Sequence, residues 1–132
     1  MIGWWRGRVK LVLACSAVLL AAALIEGGPA PEGCGAAARA LIAESEPGPA
    51  ERRWADGGAE IWRRKLKGGA QAFILVNRGE RAVSIDVIWK EHGLRGSPRV
   101  TDVARGRDRG KVHAGFAERV EPGGASVLRV KP

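Results

Sequence analysis

Ala72-Phe73-Ile74-Leu75-Val76 and, after Asn77-Arg78-Gly79-Glu80, Val83-Ser84-Ile85-Asp86-Val87 decide the fold. The first run is apolar throughout and too short for a helix, so it reads as a strand buried on both faces. The second alternates apolar and polar residues with period two, which is a strand with one buried and one wet face. Asn77 and Gly79 tolerate the positive φ of a tight turn, so the two strands are expected to pair as a hairpin.

Further strands flank this pair. One starts at Glu60, where Ile61-Trp62 leads into Leu66, and Lys67-Gly68-Gly69 turns the chain toward Ala72. Downstream, Val100 to Val103, Val112 to Val120 and Ser126 to Val130 read as short strands, punctuated by Pro98 and Pro122-Gly123-Gly124. Short strands at this spacing indicate an all-β domain, a small antiparallel β-sandwich of Greek-key-like type. Its expected core is Trp62, Phe73, Leu75, Val83, Ile85, Val87, Val112, Phe116, Val127 and Leu128, with Trp89 near the edge.

The chain has 132 residues, enough for one domain with an N-terminal appendage. Its net charge of +8 raises nucleic acid or an acidic surface as partners. The cations, however, sit as Arg52-Arg53, Arg63-Arg64-Lys65-x-Lys67 and Arg105-x-Arg107-x-Arg109-x-Lys111, mixed with acids. Residues two apart on a strand share a face, so these runs read as solvated strand edges that discourage edge-to-edge pairing. No zinc spacing, phosphate-binding glycine loop or stacking motif accompanies them, and no cofactor, metal site or nucleic-acid partner is expected.

Arg6, Arg8 and Lys10 precede the uncharged run Leu11 to Ile25, which Glu26-Gly27-Gly28-Pro29 closes. Cations followed by such a run are the layout of an export signal, and Ala21-Ala22-Ala23 offers the small residues that cleavage requires. The run is short for a bilayer crossing, which takes about 20 residues, although Val9 and Trp4-Trp5 extend it. Residues 1–26 are therefore expected to be a signal peptide, or alternatively a membrane anchor acting through residues 9–25. The chain would then be secreted or periplasmic. Cys15 lies inside the run, so its removal would leave Cys34 alone and no internal disulfide is expected.

Residues 27–58 read as a Gly/Pro-rich linker. Within them Ala36 to Glu44 favours helix and Pro47-Gly48-Pro49 ends it. The β-domain then occupies residues 59–132.

An ordered set of short motifs runs along that domain. Ile61-Trp62-Arg63-Arg64-Lys65-Leu66 is followed by Gly68-x-x-Gln71-Ala72-Phe73-x-Leu75-Val76-Asn77-Arg78-Gly79, and then by Ile88-Trp89-x-x-x-Gly93-Leu94. Val100-x-Asp102-Val103, Gly110, Gly115-Phe116 and Val120-x-Pro122-x-Gly124-x-x-x-Leu128-Arg129-Val130 complete it. This set resembles the C-terminal antiparallel β-domain of the α-galactosidase (melibiase, glycoside hydrolase family 27) enzymes. Leu41-Ile42-Ala43 and Pro47-x-x-x-x-Arg52-Arg53 are also similar to the junction that closes the family's catalytic barrel. Two departures stand out: Val103-Ala104 replaces the usual Leu-Trp, and Gly123-Gly124 occupies the place of the usual His.

The resemblance implies a glycosidase context without the catalysis. The family's retaining hydrolysis uses two Asp residues on a (β/α)8 barrel, about 5 Å apart. Such a barrel needs about 250 residues, and this chain has no tyrosine for the family's Lys-Tyr-Asp strand end. The remaining carboxylates read as structural: Asp86 pointing outward on a strand, Asp102 in a turn, Asp108 in an Arg-rich loop. His92 is expected in the turn after Trp89, and His113 on a strand face.

The favoured function is a non-catalytic accessory domain of an α-galactosidase-like hydrolase, the product of a truncated or split gene, whose partner is a catalytic barrel. A free-standing carbohydrate-binding module is the first alternative, with Trp54 and Trp89 as the stacking platforms for a glycan. A basic protein that binds anionic polymer or lipid is the second. A β-domain of about 70 residues buries only about 60% of its unfolded surface, which argues for a partner.

Overall fold

The computed structural model describes residues 16–132. Cys15 and the N-terminal cations and tryptophans lie outside the described residues.

Gln71–Asn77 is the strand on which the rest is organised. Phe73, Ile74 and Leu75 are all 0% exposed, as a strand covered on both faces requires. The described residues comprise helices α1 (Ala17–Glu26) and α2 (Ala36–Glu44), followed by strands β1 (Glu51–Asp56), β2 (Ala59–Lys65), β3 (Gln71–Asn77) and β4 (Val83–Ile88). Then come β5 (Arg99–Asp102), β6 (Arg107–Lys111), β7 (Gly115–Val120) and β8 (Ala125–Lys131). Every pairing is antiparallel. A six-stranded sheet runs β1-β2-β3-β8-β5-β6, and β4 and β7 form a second, two-stranded sheet.

The expected hairpin between the strands at Ala72 and Val83 does not form. β3 already has both edges occupied, by β2 and β8, so β4 crosses to the other sheet and pairs with β7. Asn77 is the corner post of that crossing. It is 2% exposed, and its side-chain amide donates to the carbonyls of Arg81 (2.8 Å) and Val120 (3.0 Å). Its Oδ1 accepts from the Gly79 amide at 2.9 Å. The turn chemistry was legible in the residues, but it serves a change of sheet.

Three layers result. Between the sheets lies a core of Ile61, Phe73, Leu75, Ile85, Val87, Trp89, Leu94, Val100, Phe116, Leu128 and Val130. On the opposite face of the large sheet, Ala72, Ile74 and Val127 pack against Leu20, Ala21 and Leu24 of α1 and Ala38 and Leu41 of α2. The expected core is thus split between two layers, with Val127 on the helix side. Trp62 also lies on the helix side, where it is only half-buried. Val83 and Val112 are partly buried at the margin of the inter-sheet core. Trp89 is central rather than marginal, 1% exposed, with its indole N–H donating to the Val112 carbonyl at 2.8 Å.

The helical layer changes the reading of residues 16–58. Ser16 caps α1 by accepting from the Leu19 amide, and Gly27 ends it at φ 78°, a left-handed turn that glycine adopts without strain. Arg64 on β2 donates to the carbonyls of Leu24 (2.7 Å) and Glu46 (3.1 Å). A cation there meets the exposed carbonyls and the negative end of the α1 dipole. Arg129 on β8 holds Glu44, the last residue of α2, through two bonds of 2.7 and 3.2 Å. Arg64, read as part of a solvated edge, is therefore a clamp between layers, and Arg129 is a second clamp. The linker also contains β1, a strand hidden in the sequence by its charged residues. Cys34 is disulfide-bonded in the uncut chain, whereas the expectation of no internal disulfide concerns the chain after loss of residues 1–26. Among the described residues, no helix is long and apolar enough to cross a membrane.

Candidate functional site

Trp89 and Trp54, the two expected platforms, have opposite fates. Trp89 is sealed in the core against Phe73, with ring centroids 6.2 Å apart, so it offers no face to a ligand. Stacking on Trp89 is thereby corrected: an apolar ring at the start of the turn after β4 is drawn under the sandwich. Trp54 is 44% exposed on β1. The register of β1 against β2 slips between Arg52 and Trp54, so Arg53 bulges out while Trp54 pairs with Ile61.

The Trp54 ring borders a cleft of about 400 Å³, whose lining includes Ile61, Ser84, Asp86, Ile88 and His92. The opposite wall is the wet face of β4. Its alternation places Ser84, Asp86 and Ile88 outward, as the sequence predicts, and Ile88 stays 43% exposed. The floor comes from the 3-10 turn Trp89–His92. Arg53 closes one end, its guanidinium committed to Glu51 (2.8 Å) and to the Glu91 carbonyl (3.0 Å). The bond to Arg53, followed by the nearby charge of Arg63, holds the Glu51 carboxyl below its ordinary range.

His92 lies in the turn after Trp89, as expected, and is 7% exposed with its ring edge-on to Phe73 at 4.9 Å. Burial, and then the charges of Arg53 and Arg63, push its imidazole below the usual value. His113, expected on a strand face, instead sits exposed in the turn between β6 and β7. No group of His, Cys, Asp and Glu able to hold a metal occurs among the described residues.

The carboxylates test for hydrolytic chemistry. Asp102 is 0% exposed and Glu118 lies near it, both facing the Arg105 guanidinium at 3.0 and 4.0 Å. Asp102 also accepts from the Arg105 amide at 3.0 Å, the turn role the sequence suggests. Its hydrogen bond and charge raise the Arg105 pKa further. Both Asp102 oxygens are thereby taken up by Arg105, one by its amide and one by its guanidinium. Asp108 is bonded to Arg99 at 2.7 Å and accepts from the Gly110 amide. Glu60 is held by Trp62 and Arg78. At the cleft beside Trp54, exposed Glu91 shares with Asp86 the lack of a side-chain hydrogen bond among the described residues, and Asp86 is the one on the β4 wall. The sequence placed it outward and assigned it no ligand role, because Trp54 lies more than thirty residues away in the chain.

Residues 56–130 match the α-galactosidase C-terminal β-sandwich domain. No curated protein matches the chain in sequence. Among solved structures, the chain is similar to a β-L-arabinopyranosidase of glycoside hydrolase family 27 from Geobacillus stearothermophilus. The TM-score is 0.76 at 14% identity, over 87% of this chain and 29% of that one. It is also similar to α-galactosidase I from Mortierella vinacea, with TM-score 0.64 and 22% identity over 71% of this chain and 26% of that one. An α-amylase from Geobacillus thermoleovorans matches at TM-score 0.54 and 9% identity, over 70% of this chain and 20% of that one. The chain thus spans less than a third of the length of these enzymes. Residues 56–132 are well under two thirds of the chain, so the 87% match takes in much of the helical segment as well.

Proposed function

Since the chain belongs to the α-galactosidase C-terminal β-sandwich family, we propose that it is a non-catalytic accessory domain whose partner is a glycoside hydrolase barrel, within carbohydrate metabolism. The observation that supports this most is the state of the carboxylates: Asp102, Asp108, Glu51 and Glu60 are all bonded to arginines. Retaining hydrolysis needs two carboxyl groups in different protonation states across one bond. The β-domain contributes fold and surface, and the chemistry resides in the barrel.

The test is hydrolysis of a chromogenic α-galactoside by the purified chain alone, and by the chain mixed with a barrel-only form of a related enzyme. Silence alone, with activity or thermal stability gained on mixing, is the expected result. Turnover by the chain alone would overturn the non-catalytic reading, and no change in the barrel on mixing would overturn the partner. A companion proposal, that the chain acts after export, rests on the cations and apolar run of residues 6–25. Cell fractionation checks it, and a wholly cytosolic chain contradicts it.

A further inference from the structure

We propose that the cleft between β1 and β4 is a binding site for a neutral pyranose, with Trp54 as the stacking platform and Asp86 as the hydroxyl acceptor. The inference does not depend on a barrel partner, because every residue in it belongs to this chain.

The two walls differ in kind, and that difference selects the ligand. One wall is the half-exposed ring of Trp54, on a strand where all six residues are exposed. The other presents Ser84 Oγ and the Asp86 carboxylate, neither with a side-chain hydrogen bond among the described residues, followed by the exposed Ile88. A pyranose has the matching asymmetry. Its C–H face gives apolar area to an aromatic ring, and its edge carries hydroxyls that donate to a carboxylate. The volume of about 400 Å³ falls within the range of small-molecule clefts and exceeds a single sugar ring.

Other ligand classes fit less well. A wholly apolar ligand would strip water from Asp86 with nothing to replace it. An anion would meet that same carboxylate, while the one cation at the cleft, Arg53, is already bonded to Glu51 and the Glu91 carbonyl. Asp86 and Ile88 also border a second cleft of about 460 Å³ that includes His113 and Phe116. The groove therefore continues across the outer face of the two-stranded sheet, which suits a glycan of several residues.

The experiment is an NMR titration of the full chain with methyl α-pyranosides of the galacto, gluco and manno series, following the Trp54 indole N–H. Methyl glucuronide serves as the charged control. The expected result is a saturable shift at millimolar to tens-of-millimolar sugar for at least one neutral series, and none for the uronide. Trp54→Ala should weaken binding by roughly tenfold or more, as removal of a stacked ring implies, and Asp86→Asn severalfold. Both positions are exposed, so circular dichroism should show each variant folded as the parent. No saturable shift with any neutral pyranoside overturns the site. Binding that survives Trp54→Ala, or that favours the uronide, overturns the assignment of its walls.

Discussion

Phe73 and Ile74 are neighbours in β3, equally buried, yet they look into cores of different make. Phe73 faces the smaller sheet and an aromatic group of Trp89, His92 and Phe116. Ile74 faces the helices, where small and aliphatic residues such as Ala21, Leu24, Ala38 and Leu41 let two short helices lie close. The first core is built by residues far apart in sequence and resembles any β-sandwich. The second is built from a stretch that, read alone, has the composition of an export signal. Apolar runs of that kind carry no label for their destination. Here the described part of the run, α1, packs on the helix-side face of the large sheet.

The comparison can be broken from either side, and the largest effect is expected between the sheets. Phe73→Ala should cost about 3–5 kcal/mol, because it opens a cavity beside a tryptophan that cannot move to fill it. In a domain of this size that leaves little or no cooperative transition in urea. Leu24→Ala tests the helical layer at a residue that is 0% exposed. It should cost about 2–4 kcal/mol if α1 is part of the core. A change near zero would show that the helix is dispensable. Asn77→Ala should cost about 2 kcal/mol by leaving the Arg81 and Val120 carbonyls without their donor, read as a lowered urea midpoint.

Two smaller effects sharpen the account of the turns around Trp89. Ala114 holds φ 67°, a left-handed conformation unfavourable for a residue with a Cβ, and its carbonyl accepts from the Trp89 amide at 2.9 Å. Ala114→Gly should raise stability by about 0.5–1 kcal/mol once the added freedom of the unfolded chain is deducted. The smallest effect concerns pH. Burial lowers the His92 pKa below its ordinary 6.5, so the unfolded state binds the proton more readily. Its contribution to stability is complete above that value and is lost as pH falls toward the lower, folded-state pKa. His92→Gln should flatten this part of the acid limb in urea titrations taken through pH 6.5 and below.

How much of this was legible in the sequence follows physical lines. The alternation of Val83 to Val87 gave a strand and its wet face, because period two depends only on local geometry. The apolar run at Ala72 gave a doubly covered strand, but it could not show that the second cover was helical. The partner of β3 was misread because turn residues specify a bend, while the pairing depends on which edges are already taken. β1 was missed because Glu51-Arg52-Arg53 hides an edge strand behind charge. Of the candidate site, Trp54 was visible as a residue type. Its cleft was not, since Asp86 and Ile88 reach it from another sheet. Trp89 was misassigned for the converse reason, as nothing local reveals that its ring turns inward to bond the Val112 carbonyl.

Amide hydrogen exchange on the intact chain tests the central claim, a sheet held between a strand layer and a helical layer. The account predicts that the α1 amides from Leu20 to Leu24 are protected to nearly the same degree as those of Phe73 to Leu75, so that both open with global unfolding. Rapid exchange throughout α1 while β3 remains protected would contradict it.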